Sequence, residues 1–418
     1  MQINVTLEML PARSVLEARW RELEARSNAS FYTSWSWIGC WLHVLPSDLS
    51  PQLLVARHAG RIVGMGIVVR GKAKLLQVIP VPCWYLHATG QESIDELTIE
   101  YNGFLVERGH EIDVKTTMVD HLLHQTEVGR VEIKLASRQL DLLARRVSHK
   151  QTQPQKAARN VIVRSTGFTS YMVNLAHVRA SANGYLPLLS SNTRSQIRRS
   201  IAAYKALGEL TVEEARTPQQ AQAFMAELRK LHGQTWLGRG ERSGFSFSPT
   251  ALQFHDQLIE HGFERGEIQL LRVSAGGQDV GYLYNLIHQG HVVYYQSGLR
   301  YGVLDKHDRP GLVCHSLAIE HNARAGHHCY DFAAGNYRYK DSLSTHREPQ
   351  STHVFQRDGV LPRLDRDLRI LKAQWRQWRE HLKLWRKRAA QTVTPTLLAL
   401  TPIGLDIDCI SLLQVLPP

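Results

Sequence analysis

One stretch of this chain occurs twice. Leu53-Leu54-Val55-Ala56, Gly60 and Val63-Gly64 line up with Leu270-Leu271-Arg272-Val273, Gly277 and Val280-Gly281 at a constant offset of 217 residues. Each set reads as a β-hairpin. Apolar runs over 53–57 and 62–70 meet at Ala59-Gly60, and runs over 268–274 and 280–288 meet at Gly276-Gly277. Two such runs joined by a glycine-bearing pair signal a hairpin, because a two-residue turn needs positive φ. Upstream, Ser34 and Ser248 each begin the helix that precedes the hairpin. A helix, a hairpin and a strand in the same order twice restrict the chain to a duplicated α/β unit.

Periodicity fills in the rest. Leu16, Trp20 and Leu23 fall at i, i+4 and i+7, which predicts a helix over 13–26. Further helices are expected from Ser34 to before Pro46, over 109–128, from a cap at Ser191 or Asn192 to Gly208, over 218–231, and from Ser248-Pro249 to Gly262. Strands are expected over 75–81, 131–135 and 292–297. The polar run 148–160 lacks core-forming residues and reads as a linker or exposed loop.

At 418 residues, with 43% hydrophobic and 21% charged content, the chain is a globular protein of two to three domains. Its net charge of +12 favours anionic partners without choosing among nucleotides, nucleic acid and lipid. Cys40, Cys83, Cys314, Cys329 and Cys409 form no CxxC and are odd in number, which fits a reducing cytoplasm. The start carries no signal-peptide pattern, and no apolar run of membrane-spanning length precedes the tail. His121/His124 and His288/His291 have ligand-like spacing, but no third ligand joins either pair, so no metal is expected.

The segment 297–344 is where chemistry is expected. A strand ending near Gln296 leads through the polar loop 300–309 to Pro310-Gly311, a helix over 312–325 closed by Gly326, and a short strand at Cys329-Tyr330-Asp331-Phe332. A helix that begins at Gly311 just after Arg309 offers free N–H groups and a positive dipole end to a phosphate. Behind the strand come Gly335 and Tyr339-Lys340. Asp331, Tyr339 and Lys340 offer a carboxylate, a phenol that can supply a proton at neutral pH and a cation that can hold a phosphate. Arg194 and Arg198 share a helix face and are candidates for binding a phosphorylated or sugar-nucleotide acceptor.

The order Pro310-Gly311, helix, Gly326, Asp331-Phe332, Gly335 and Tyr339-Lys340 resembles the GNAT acyltransferase superfamily. Within it, the chain resembles the CelD-like branch linked to cellulose and exopolysaccharide biosynthesis, a relative of the Fem aminoacyl transferases. Asn192-Thr193-Arg194-Ser195-Gln196-Ile197-Arg198-Arg199, the Val280-Gly281 hairpin and Phe31-Tyr32-Thr33-Ser34-Trp35-Ser36-Trp37 also match, so the resemblance covers about residues 10–357. It implies an α/β (α+β) fold of two tandem GNAT-like halves with mixed, mainly antiparallel sheets. A degenerate half would occupy 1–150, the acyltransferase half 151–360, and a C-terminal appendage 361–418. The implied activity is N-acyl transfer from acyl-CoA, most simply acetyl-CoA, to an amine on a sugar or polysaccharide precursor. By the resemblance Arg309, Pro310, Gly311 and Leu312 would hold the CoA pyrophosphate, although the usual Arg/Gln-x-x-Gly-x-Gly/Ala loop is only partly present. Asp331, Tyr339 and Lys340 would be catalytic, and Arg194, Arg198, Gln296 and Gly335 would bind substrate. Two alternatives stand beside this reading: a Fem-like transferase using aminoacyl-tRNA, which alone would bring in nucleic acid, and a non-catalytic adaptor for envelope polysaccharide synthesis.

The C-terminal segment 363–388 stands apart. Leu364, Leu368, Leu371, Trp375, Trp378, Leu382 and Trp385 follow a 4-3 spacing, and ten Lys or Arg face three acidic residues, a local net charge of +7. Tryptophans on an apolar seam with cations opposite resemble a helix that lies in a membrane interface. The expected location is therefore the cytoplasm, with peripheral contact at the inner face of the membrane.

Overall fold

A computed structural model describes residues 2–97, 99–124, 129–136, 140, 161–335 and 337–393. The first half runs β1 (Asn4–Met9), α1 (Arg13–Ala25), α2 (Trp35–Val44), β2 (Gln52–His58), β3 (Arg61–Leu75), β4 (Ile79–Leu86), β5 (Leu105–Val106), α3 (Glu111–His124) and β6 (Arg130–Ala136). The second runs β7 (Val161–Asn174), α4 (Leu175–Ala180), α5 (Ser191–Lys205), β8 (Leu210–Glu214), α6 (Pro218–Leu237), α7 (Gly244–Phe247), α8 (Pro249–Gly262), β9 (Ile268–Ala275), β10 (Gln278–His288), β11 (His291–Leu299), α9 (Pro310–Arg324), β12 (Cys329–Ala334), α10 (Arg338–Leu343) and β13 (His346–Arg357).

The repeat seen in the sequence is a repeat in space. Ala59 and Gly60 have φ of +47° and +79°, and Gly276 and Gly277 have +55° and +81°, so both hairpins turn through the same pair of left-handed residues. The ladders match as well. Ala56 pairs with Gly64 and Val273 with Gly281, and each register slips at the valine just before that glycine. The glycines are fixed by packing. A Cβ on Gly64 would lie 2.5 Å from Val114 Cγ1 of α3, and one on Gly281 would lie 2.9 Å from the Gly298 carbonyl and 3.1 Å from Cys314 Sγ of α9.

Each half then makes one parallel crossover: β4 reaches β6 through α3, and β11 reaches β12 through α9. Parallel strands need such a connection because a tight turn cannot reverse the chain twice. Both parallel pairings are short. Trp84↔Val131 and Tyr85↔Glu132 hold one, and His291↔Cys329 to Val293↔Asp331 hold the other, while β11 and β12 continue beyond their last pair. A gap therefore opens beyond the last pair at Val293 and Asp331.

All thirteen strands among the described residues belong to one mainly antiparallel sheet, ordered β1-β2-β3-β4-β6-β13-β7-β12-β11-β10-β9-β8 with β5 on β3. The halves are continuous because β13 pairs antiparallel with both β6 and β7. One core is built across them: Trp37 of α2 meets Phe254 of α8 edge-on at 4.7 Å, and Ser36 Oγ donates to Glu267 Oε2 at 2.6 Å. Two further clusters lie beneath α3 in the first half and beneath α5 and α9 in the second. Residues Met1–Asp358 make one compact unit.

Three boundaries differ from expectation. A turn with left-handed Leu76 and Gln77, at φ of +51° and +67°, divides the stretch expected as one strand over 75–81. α6 runs on to Leu237, six residues past the expected end. Ser190, one residue earlier than expected, caps α5 by accepting the Thr193 N–H at 3.3 Å. The polar run 148–160 and Cys409 lie outside the described residues.

The second unit, Gly359–Pro418, contains α11 (Val360–Val393). Leu364, Leu368, Leu371, Trp375, Trp378 and Trp385 are exposed along it. No helix among the described residues is long and apolar enough to cross a membrane.

Candidate active site

The splay between β11 and β12 holds a cavity of about 780 Å3. β11 supplies Tyr294, Tyr295, Gln296 and Ser297, α9 and the loop before it supply Arg309, Gly311, Leu312 and His315, and α10 supplies Tyr339 and Lys340. α6 closes one side with His232 and Trp236, and the first half contributes Tyr32, Glu96 and Glu100. A bulge shapes the β11 wall: Tyr284 pairs with Gln296 and Asn285 with Tyr294, which leaves Tyr295 without a ladder partner.

One set of lining groups suits an anion. α9 starts with Pro310, so the N–H groups of Gly311 and Leu312 in its first turn have no acceptor inside the helix. The loop before it is strapped to α5. Arg309 donates to the Gln196 side chain, Ser200 Oγ donates to His307 O at 2.8 Å, and Tyr204 OH donates to Asp308 Oδ1 at 2.5 Å. Gln196, Ser200 and Tyr204 are spaced by four and share one face of α5, so that face orients the loop.

A second set is acid and base. Glu100 accepts from Ala334 N at 2.7 Å and Gln350 Nε2 at 3.3 Å, both on Oε2, and among the described residues none donates to Oε1. Its burial pushes the carboxyl up to about 7, against the lowering effect of the Ala334 N–H. Lys340 Nζ donates to Ala334 O at 2.7 Å and Ala333 O at 3.4 Å, and its burial lowers its pKa against the pull of Glu100 and Asp331. Tyr339 stacks on His315 at 5.8 Å, and burial raises its pKa well above the usual phenol, so it keeps its proton at neutral pH. His315 is held neutral, its pKa pushed down to about 3 by burial and by Lys340.

Asp331 lies behind this wall. It is fully buried and accepts from Tyr101 OH at 2.6 Å, Ala333 N at 2.7 Å and His291 Nε2 at 3.0 Å. The Ala333 bond closes a local turn over a left-handed Ala333, whose φ is +61°. Burial opposes charge on His291, but the bonds to Asp331 and Cys329 outweigh it and raise its pKa to about 10.

Of the residues expected from sequence, Gln296, Arg309, Gly311, Leu312, Tyr339 and Lys340 line the cavity. Pro310 is buried at the start of α9, and Gly335 lines a neighbouring cavity. Arg194 and Arg198 line neither: Arg194 Nη1 points back to Pro187 O and Leu189 O at 3.5 Å. Among the described residues no three His, Cys, Asp or Glu side chains converge as a metal-binding group. Glu100 was missed because it comes from the other half of the chain. Its only signal is a carboxylate set among Ile99, Tyr101 and Phe104, a context in which an acid is buried for a reason.

Residues 191–341 match the family described as an acetyltransferase (GNAT) domain. No curated protein matches this chain. Among solved structures, FemX superposes with a TM-score of 0.50 at 10% identity, over 85% of this chain and 97% of FemX. L-PGS from Bacillus licheniformis gives 0.49 at 12% identity, over 86% and 96%. The C-terminal domain (DUF2156) of a putative lysylphosphatidylglycerol synthetase from Agrobacterium fabrum gives 0.48 at 11%, over 87% and 96%. The likeness to FemX is one of fold. The crossover splay, the helix start that faces it and the matched span together identify residues 191–341 as a GNAT-type acetyltransferase domain.

Proposed function

We propose that this protein is an acyl-CoA-dependent N-acyltransferase of the CelD-like type, acting on an amine carried by a sugar or polysaccharide precursor. One observation carries the reading. A single cavity is lined by a helix N-terminus with Arg309 and by a carboxyl, a phenol and an ammonium. A donor with a pyrophosphate and a thioester matches that set of groups.

The anionic part of the donor lies against Gly311 N–H, Leu312 N–H and Arg309, where the dipole and a fixed charge favour it. Glu100 Oε1 takes a proton from the acceptor's ammonium, and the freed amine attacks the thioester carbon. Lys340 brings positive charge to the wall where the carbonyl oxygen becomes negative. As the C–N bond forms and the C–S bond breaks, Tyr339 OH gives a proton to the departing thiolate, the new amide nitrogen releases its remaining extra proton to solvent, and solvent restores Glu100 and Tyr339. Gln296 uses its Oε1 to accept the Ser297 N–H at 3.1 Å and offers its amide N–H to the substrate. Asp331 is a positioning residue that holds the end of β12 and Tyr101 in place.

Release of free thiol from acetyl-CoA in the presence of an amino sugar tests this, with retained CoA detected by native mass spectrometry. Bulk aminoacylated tRNA held on a filter while CoA fails to bind would replace the donor with a tRNA ester. Unchanged in vivo function of Lys340→Ala and Asp331→Ala would replace the enzyme with an adaptor. The C-terminal helix α11 completes the proposal: its exposed Trp375, Trp378 and Trp385, with cations opposite, suit the headgroup region of an anionic membrane.

A further inference from the structure

The first half has a cavity of its own, about 430 Å3, where β4 ends and β6 continues past their short parallel pairing. That size falls in the range of about 300–1,000 Å3 typical of small-ligand pockets. It occupies the place in the first repeat that the candidate active site occupies in the second. The two cavities share Glu100 and Ala334 in their walls.

His87 lines this second cavity and is 2% exposed. Its protonation is dictated by its neighbour. Asn102 Nδ2 donates to Leu86 O at 2.9 Å, so the amide oxygen is the atom facing His87 Nδ1 at 3.0 Å. An oxygen there requires the proton on Nδ1, which leaves Nε2 as an acceptor. That Nε2 is buried and, among the described residues, has no hydrogen-bond partner. The backbone is unusual too: His87 is left-handed, with φ of +48°, a conformation that costs energy outside glycine and gathers at functional sites.

The charges point the same way. Among the described residues that line the cavity the one Lys or Arg, Lys134, is held by Asp95 at 2.7 Å, and Glu132 is loosely paired with Arg130 at 3.6 Å. Among the described residues none donates a hydrogen bond to Glu100 Oε1, Glu132 or His87 Nε2. Trp41 and the half-exposed Phe168 add aromatic faces.

We propose that this second cavity is the acceptor site, built for a neutral or cationic polyhydroxylated amine whose hydroxyls meet His87 and Glu132 and whose amine reaches Glu100 at the shared wall. This rests on the acyl-transfer reading above. The second cavity is the more acidic of the two: Asp95, Glu100 and Glu132 line it with Lys134, whereas acids and cations balance in the first.

D-glucosamine is the probe, titrated into the full chain by ligand-observed NMR, with CoA binding measured separately. His87→Phe keeps the ring volume and removes the acceptor, and loss of a buried hydrogen bond of this kind raises Kd about tenfold. Glu132→Gln and Phe168→Ala, at less buried positions, should each weaken glucosamine several-fold and stand as the deciding variants if His87→Phe fails to fold. CoA binding should stay unchanged in all three. Glucosamine binding that is absent, indifferent to every variant, or displaced by CoA overturns the acceptor site while leaving the donor reading intact. Glucosamine binding lost in the variants, with no CoA binding to any protein, supports the site and overturns the donor.

Discussion

If Glu100 takes the amine's proton, kcat/KM should rise with pH through about 7, the value to which burial pushes its carboxyl. The Glu100→Gln variant should lose that limb and fall about 10²–10⁴-fold, the usual range for general-base removal. A pH–rate profile of the two proteins decides it. Folding stability carries the opposite sign. A carboxyl raised in the folded state holds its proton where the unfolded chain has lost it, so this group's contribution falls as pH rises from about 4.5 to about 7. Asp331→Asn should lower the His291 pKa from about 10, because the carboxylate that opposes burial is then gone and only Cys329 still opposes it. Imidazole NMR titration reads this directly. In the parent protein the raised His291 adds stability that is complete below pH 6.5 and lost as pH climbs through about 10. At this scale the sequence was readable where placement follows the chain locally. Tyr339, Lys340 and Gln296 all flank the crossover and reach the cavity. Glu100 and His87 were not readable, because their meaning depends on the half of the fold they face.

The elements were legible where chemistry repeats. Both hairpins could be found from their turn residues, and the crossover helix from Pro310 and Gly326. The turn at 76–78 could not, because Leu76 and Gln77 are residues that seldom take positive φ. Close packing gives a direct test. A Cβ on Gly298 would lie 2.3 Å from the Leu228 carbonyl of α6, so Gly298→Ala must push helix from sheet. Overpacking of this kind costs about 1–3 kcal/mol, which urea denaturation will show as a lower midpoint with an unchanged slope. For α11, the full-length double variant Trp375→Glu/Trp378→Glu should stay in the supernatant with phosphatidylglycerol vesicles that pellet the parent chain. Equal pelleting of both would remove the membrane role. Vesicles of phosphatidylcholine alone should pellet much less of the parent, since about 1 kcal/mol per surface cation comes from anionic lipid.

At the scale of the molecule, two halves were expected with a sheet apiece, and the structure has one sheet. The difference lies in β13, whose residues Val354 and Phe355 pair with Glu132 and Val131 across more than two hundred positions of sequence. No local pattern announces such a pairing. Its consequence for stability is cooperativity. Residues 161–358 made alone should give no sharp thermal transition and should self-associate on gel filtration, whereas the full chain should melt its compact unit in one step. Two separate transitions in calorimetry of the full chain would contradict this.

The placing of β13 also sets an order of events in the cell. β6 ends at Ala136, and the strand that covers its edge begins at His346, about 210 residues later. At a synthesis rate of about 5–20 residues per second, the first half waits about 10–40 s with a bare sheet edge before its partner has been made. An uncovered edge is a template for wrong pairing. The nascent chain is thus most vulnerable in the middle of its own translation, and slow codons or a heat pulse in that interval should cost yield without touching the finished protein.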